Sequence, residues 1–298
     1  MAKQLLTPAQ IQQYNEDGYL IVRRFYNPEE VSRLYRIALD DATISKHAIN
    51  VNDSTGKRSK LSLWYKPGDD VYGLLTRGKT LVGAVDQLLD RQPLDRQPLD
   101  RQPLDRQPGD EGHSVCHYHS KLMQKEPRVG GAWEWHQDYG YWYKNEFLYP
   151  DQMMSVMIAV TDANVENGCL QVIKGSHKMG RVEHGFSGEQ VGASQKYVDL
   201  ALKTMEHVFV ELEAGDVLFF HSNILHRSEA NVSDRARWSL ISCYNRSTNI
   251  GHNESSSSSA SITPIDIVPD EALLTWDTAG LAEAKADFLS KEADVSLK

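Results

Sequence analysis

Nowhere does this chain reach the roughly 18 consecutive apolar residues that a bilayer-spanning helix needs, and Met1 to Pro8 lack the apolar core of a secretory signal. The expectation is a soluble, cytoplasmic protein with no membrane partner. Cysteine is scarce. Cys116, Cys169 and Cys243 are odd in number and unclustered, which argues against a disulfide framework or a zinc cluster and predicts buried free thiols. Positive charge is also short, with 32 Lys and Arg against 41 Asp and Glu, and the net charge of −9 argues against nucleic acid as a partner. What is present suffices for a sizeable core: 298 residues with 40% hydrophobic content predict one domain over 1–298. Nothing in the sequence sets an oligomeric state.

The first elements carry their own start signals. Thr7-Pro8-Ala9-Gln10 has the capping-box form with Pro at the first helical position, and Asn27-Pro28-Glu29-Glu30 opens a second helix whose Val31, Leu34, Ile37 and Leu39 recur near helical spacing. Tyr19–Val22 reads as a short strand between them. Further on, Val115–Met123, Ala132–Asp138, Met153–Val160, Cys169–Ile173, His207–Leu212, Val217–His221 and Ala236–Tyr244 are short, β-rich and separated by Gly, Asn or Pro. This density predicts a mainly β fold, a double-stranded β-helix (jelly roll) with flanking N-terminal helices. Residues 90–110 repeat Arg-Gln-Pro-Leu-Asp three times and end a fourth copy as Arg106-Gln107-Pro108-Gly109-Asp110. A Pro every fifth residue disallows a continuous helix or central strand, so a surface loop insertion is expected. The polar run Glu254–Ser259 is expected to be a flexible stretch near the site.

Chemistry concentrates in Trp133-Glu134-Trp135-His136-Gln137-Asp138. On a strand, residues two apart share a face, so His136 and Asp138 can reach one metal while Gln137 points away. His226 would complete a 2-His-1-carboxylate triad, the mark of non-haem Fe(II) oxygenases with positions open for co-substrate and O2. In a jelly roll the two His strands are expected on facing sheets. Arg237 and Ser239 share one face of an alternating strand and form a clamp for a carboxylate. A keto acid with a second carboxylate, 2-oxoglutarate, fits both ends. Alternatives exist for each residue: Glu134 shares the parity of His136, His221 also precedes Arg237, and Arg235 shares its parity. His117 and His119 form a second pair on one strand face, without a Glu at the spacing a cupin-type site uses.

The chain resembles the phytanoyl-CoA dioxygenase family of Fe(II)/2-oxoglutarate oxygenases, and the ectoine hydroxylases within it. The resemblance rests on His136-x-Asp138, on His226 with Arg237 eleven residues later, on Glu166-Asn167-Gly168-Cys169-Leu170 running to Gly175-Ser176-His177, and on Trp142 four residues after Asp138. It implies His136, Asp138 and His226 as metal ligands rather than Glu134, and Arg237 with Ser239 at the co-substrate. Met123 stands where the ectoine enzymes carry an Asn beside the keto acid, and Lys174 where the family usually has Pro. His119, in the place of a substrate-facing Gln, is expected with Lys121 in the pocket wall, and Tyr139, Tyr141 and Trp142 at the substrate entrance. Fe(II), 2-oxoglutarate and O2 are the implied cofactors, and hydroxylation of a small-molecule substrate the implied reaction. The competing readings are a cupin-like metal hydrolase or isomerase and a non-catalytic jelly-roll binding module.

Overall fold

The computed structural model describes residues 3–90, 114–146, 148–187, 190–251 and 264–289. The proline repeat from Arg91 onward and the serine run lie outside these residues. Within them the strands are, in chain order, β1 Tyr19–Val22, β2 Ile49–Asn52, β3 Arg58–Trp64, β4 Val115–Lys125, β5 Trp133–His136, β6 Met153–Ala159, β7 Leu170–Ile173, β8 His184–Ser187, β9 Gln190–Ala193, β10 His207–Val210, β11 Val217–His221, β12 His226–Ser228 and β13 Arg237–Arg246. Seven of them form a large sheet in the order β1-β11-β6-β13-β4-β3-β2, four a small sheet in the order β10-β7-β12-β5, and β8 with β9 a hairpin. Every pairing is antiparallel. The result is the expected jelly roll.

Alternation along the strands decides where the cores sit. In β6, Met153, Met157 and Ala159 pack with Leu218, Phe220 and Ile241 of the large sheet and Leu170, Val172 and Val210 of the small one. Their neighbours Met154, Val156 and Ile158 pack instead with Tyr72, Leu81, Val85 and Leu88 of two helices on the outer face. The large sheet is therefore buried on both sides, which is why β6 reads as an apolar run broken only by Ser155. Each such buried Leu, Ile, Val, Phe or Met side chain contributes about 1.5–3 kcal/mol.

Both N-terminal helices begin where their caps predict, at Pro8 and Pro28, with the reciprocal bonds of Thr7 with Gln10 and Asn27 with Glu30 in place. The outer-face helices Val71–Arg77 and Lys79–Leu89 were not anticipated. They are buried almost all round, polar Thr76, Thr80 and Asp86 included. No described helix is long and apolar enough to cross a membrane.

Three expectations about the site strands need correction. His136 and His226 do not lie on facing sheets: β5 and β12 are neighbours in the small sheet, with His226 directly opposite His136. Asp138 does not continue the strand of His136, because β5 ends at His136 and Asp138 begins the helix Asp138–Glu146, which also carries Tyr139, Tyr141 and Trp142. Finally, His117 and His119 do not share a face. The β4–β13 register shifts between Cys243 and Tyr244, sending His117 to Tyr65 O and Ser120 Oγ while His119 meets Trp142.

The far end of β13 is fastened to the helix Lys79–Leu89 by a buried pair, Arg246 with the Asp86 carboxylate, reinforced by Arg246 Nη2 donating to Asp86 O at 2.7 Å. Breaking a buried pair strands a charge. Arg246→Met is expected to cost about 3–5 kcal/mol in urea denaturation, and the double variant Arg246→Met/Asp86→Leu to recover most of it.

Candidate metal centre and co-substrate site

The last residue of β5 and the first of β12 face each other across the ladder, so the His136 and His226 rings lie 4.0 Å apart between centroids. Asp138 reaches the same point from its helix: its Oδ1 is 3.7 Å from Nε2 of each imidazole. These three ligand atoms lie within 4.8 Å of one another, the one such group among the described residues. Gln137 turns the chain between them. Its buried amide donates to Gly180 O and Asn223 O and accepts from Val182 N, each at 2.8 Å, which points it away from the triad and fixes Asp138 on the opposite side.

The donor set suits a divalent metal in protonation as well as position. Nδ1 of His136 lies 2.7 Å from Glu134 O and Nδ1 of His226 lies 3.0 Å from Ile224 O. With those nitrogens donating to carbonyls, each Nε2 presents a lone pair to the common point. Burial lowers both imidazoles, His136 further through its neighbour His226. Burial would raise the Asp138 carboxyl, but Lys121, His226, His136 and the Ser155 hydroxyl outweigh it and hold it below the usual carboxylate range. Two neutral imidazoles and one carboxylate are what metal binding requires.

Ser155 is a site residue that the sequence reading missed. Its hydroxyl donates to Asp138 Oδ2 at 2.6 Å, leaving Oδ1 for the metal. The signal was available, since Ser155 is the one polar residue in the apolar run Met153–Ala159.

Deeper in the barrel Arg237 is 3% exposed, and burial pulls its guanidinium down to about 10, which leaves it charged at neutral pH. It donates from Nε and Nη2 to Gly168 O at 3.1 and 2.9 Å and from Nη1 to Ser239 Oγ at 3.3 Å. No carboxylate pairs with it among the described residues. The Asn167-Gly168 turn aims that carbonyl: Asn167 is bonded to Asn164 and Asp162, and Gly168 has φ +76° where a Cβ would meet Glu229 O at 2.2 Å. Met123 lies opposite Ser239 in the β4–β13 register, and fully buried Lys125 lies opposite Arg237. Lys125, also missed, spends its ammonium on Ser228 Oγ at 2.8 Å and Glu229 O at 2.5 Å, tying β4 to the strand of His226.

The alternatives are held elsewhere. His221 Nε2 lies 3.1 Å from Asp151 Oδ1, Arg235 is exposed beside Glu166, and Glu134 is outside the metal group. Lys121 Nζ stands 3.9 Å from Asp138 Oδ1. His119 is buried against Tyr65, Tyr118 and Trp142. Tyr141 packs its ring 5.4 Å from that of His136 and donates to Val191 O, whereas Tyr139 donates to Leu148 O and packs on Tyr143. At Lys174, which stands where the family usually has Pro, the backbone N–H donates to Glu206 O at 2.9 Å, a bond that Pro could not make.

The family model for phytanoyl-CoA dioxygenase (PhyH) matches residues 14–239. The chain belongs to this family. It is 29% identical over 237 residues to the L-proline trans-4-hydroxylase of Streptomyces griseoviridis, covering 74% of this chain and 75% of the relative. It is 24% identical over 261 residues to the ectoine dioxygenase of Bordetella bronchiseptica, covering 82% and 77%. The solved apoform of EctD from S. alaskensis has the same fold, with TM-score 0.67, 16% identity and 90% of each chain covered. The protein is accordingly a non-haem iron, 2-oxoglutarate-dependent oxygenase, with Fe(II), 2-oxoglutarate and O2 as its cofactor and co-substrates.

Removing the hydrogen bond on Asp138 Oδ2 frees that carboxylate to rotate. Ser155→Ala is expected to weaken Mn(II) binding about 10–100-fold by calorimetric titration, with the fold retained by circular dichroism.

Proposed function

We propose that this enzyme hydroxylates an aliphatic C–H bond of a small-molecule metabolite, coupled to conversion of 2-oxoglutarate to succinate and CO2. His136, Asp138 and His226 hold the iron, Arg237 and Ser239 clamp the distal carboxylate of the co-substrate, and Met123 forms the wall beside it. The observation that carries this reading is the buried Arg237 guanidinium without a carboxylate partner among the described residues. A charge so placed is costly unless a ligand compensates it. The far carboxylate of a keto acid chelated at the triad is such a ligand.

Bound Fe(II) supplies the O2 chemistry that amino-acid side chains lack. The chain supplies geometry. Carbonyls of Glu134 and Ile224 fix the imidazoles, Ser155 fixes the carboxylate, and Gly168 O orients the guanidinium so that Nη1, beside Ser239, faces the barrel. Met157, Ile241 and Phe220 line the same interior and keep water from it. A cupin-like hydrolase or isomerase has no use for the Arg237–Ser239 clamp, and a binding module has none for an ordered metal triad. Relatives named for L-proline and ectoine support a small-molecule substrate.

Under anaerobic conditions, adding 2-oxoglutarate to the Fe(II)-loaded protein is expected to produce the weak visible charge-transfer band of a chelated keto acid. Arg237→Ala should weaken 2-oxoglutarate binding about 30-fold or more, the loss typical of one partner in a buried charge pair. A full-strength band in wild type and variant alike at the same low concentration would remove Arg237 from the clamp; no band in folded, iron-loaded wild type would sink the co-substrate assignment.

A further inference from the structure

Two polar side chains inside the barrel are left over once iron and 2-oxoglutarate are accounted for. Lys121 and His119 lie two apart on β4, on the inward face that continues to Met123 and Lys125. Lys121 has only 18% of its side chain exposed, and its ammonium makes no hydrogen bond among the described residues; its nearest charge is Asp138 Oδ1 at 3.9 Å. His119 is 6% exposed and likewise makes no hydrogen bond among them, with the rings of Tyr65, Tyr118 and Trp142 packed around it. Lys125 differs, since Ser228 and Glu229 solvate it.

Charge bookkeeping sharpens the contrast. A divalent iron, the Asp138 carboxylate, doubly charged 2-oxoglutarate and the Arg237 guanidinium sum to neutrality, so the assembled centre offers Lys121 no net counter-charge. An ammonium inside the barrel with no hydrogen-bond acceptor among the described residues is left to solvent, and a cationic substrate would displace that solvent at a cost. A monoanion would remove it, and His119 would add a hydrogen-bonding partner.

Resting on the oxygenase reading above, we propose that the substrate is a small carboxylic acid whose carboxylate pairs with Lys121 and hydrogen-bonds to His119, with Trp142 walling its carbon skeleton. Pairing at Lys121 places the acid beside the triad, because Lys121 already neighbours the carboxylate that completes it. A phosphate dianion would over-compensate this single ammonium, so a carboxylate is the better match. The specificity follows from one residue. Acids are accepted, and their uncharged amides are not.

The test uses the full chain loaded with Mn(II) and saturating 2-oxoglutarate, and reads the paramagnetic relaxation of carbon-13-labelled acetate, with acetamide as the uncharged control. Acetate is expected to be relaxed and acetamide not. In Lys121→Met acetate binding should fall about 30-fold or more, while Lys121→Arg retains most of it. Calorimetry of 2-oxoglutarate is run on the same samples. Failure of wild type to bind Mn(II) or 2-oxoglutarate would overturn the oxygenase site itself, and this proposal with it. With both bound, the carboxylate assignment is overturned if acetate is not relaxed, if acetamide is relaxed equally, or if Lys121→Met relaxes acetate as wild type does. Loss of 2-oxoglutarate binding in Lys121→Met would also overturn it, by giving the lysine to the co-substrate.

Discussion

The site depends on one register. β12 is held between β5 and β7, and it is the antiparallel pairing with β5 that sets His226 opposite His136. A slip of one residue would turn His226 to the other face of the sheet and leave Asp138 with a single imidazole. Several contacts oppose such a slip. Ser176 Oγ accepts from Leu225 N at 2.8 Å, Ile173 N donates to Leu225 O, and Lys125 grips Ser228 and Glu229 at the other end of the short strand. A three-residue strand is thus pinned at both ends by groups from outside it, which is how so brief an element can hold a ligand in place.

The large sheet then supplies depth. Along β13, Arg237, Ser239, Ile241 and Cys243 stand opposite Lys125, Met123, Lys121 and His119 of β4. The ladder therefore orders the interior chemically, from the guanidinium end through the apolar middle to the lysine beside the triad. Because both faces of this sheet are packed, the ladder cannot shift without disturbing the helices outside as well as the site within. Rigidity of the site is in this sense a consequence of burying the sheet twice.

Much of this was legible in the sequence. The alternation of Arg237-Trp238-Ser239 put the guanidinium and the hydroxyl on one face, and the caps at Thr7 and Asn27 showed where the first helices start. The His136 and Asp138 pairing was anticipated from the period of a strand, yet the structure brings them together across a strand-to-helix turn held by Gln137. Spacing alone could not distinguish the two, since either backbone lets side chains two apart converge. The shift between Cys243 and Tyr244 carries no glycine or proline to announce it, so His117 and His119 looked like a pair. The helices Val71–Arg77 and Lys79–Leu89 escaped for a different reason. Both are short and packed on nearly every side, with polar Thr76 and Asp86 bonded to β13 rather than facing solvent.

The placement of charge explains why a barrel lined with Met, Ile and Phe tolerates Arg237 and Lys121 at all. Arg237 has no carboxylate partner among the described residues and Lys121 only Asp138 at 3.9 Å, so an anion entering the barrel would be favoured beside either. Ligand binding and folding are then linked, because a species that binds the native barrel and not the unfolded chain stabilises the former. Arg237 lies beyond Ser239 from the triad, the place proposed for the far carboxylate of a chelated keto acid, whereas Lys121 stands beside the triad. On the proposed reading, two cations at two depths would let one apolar barrel tell two anionic ligands apart without a second pocket.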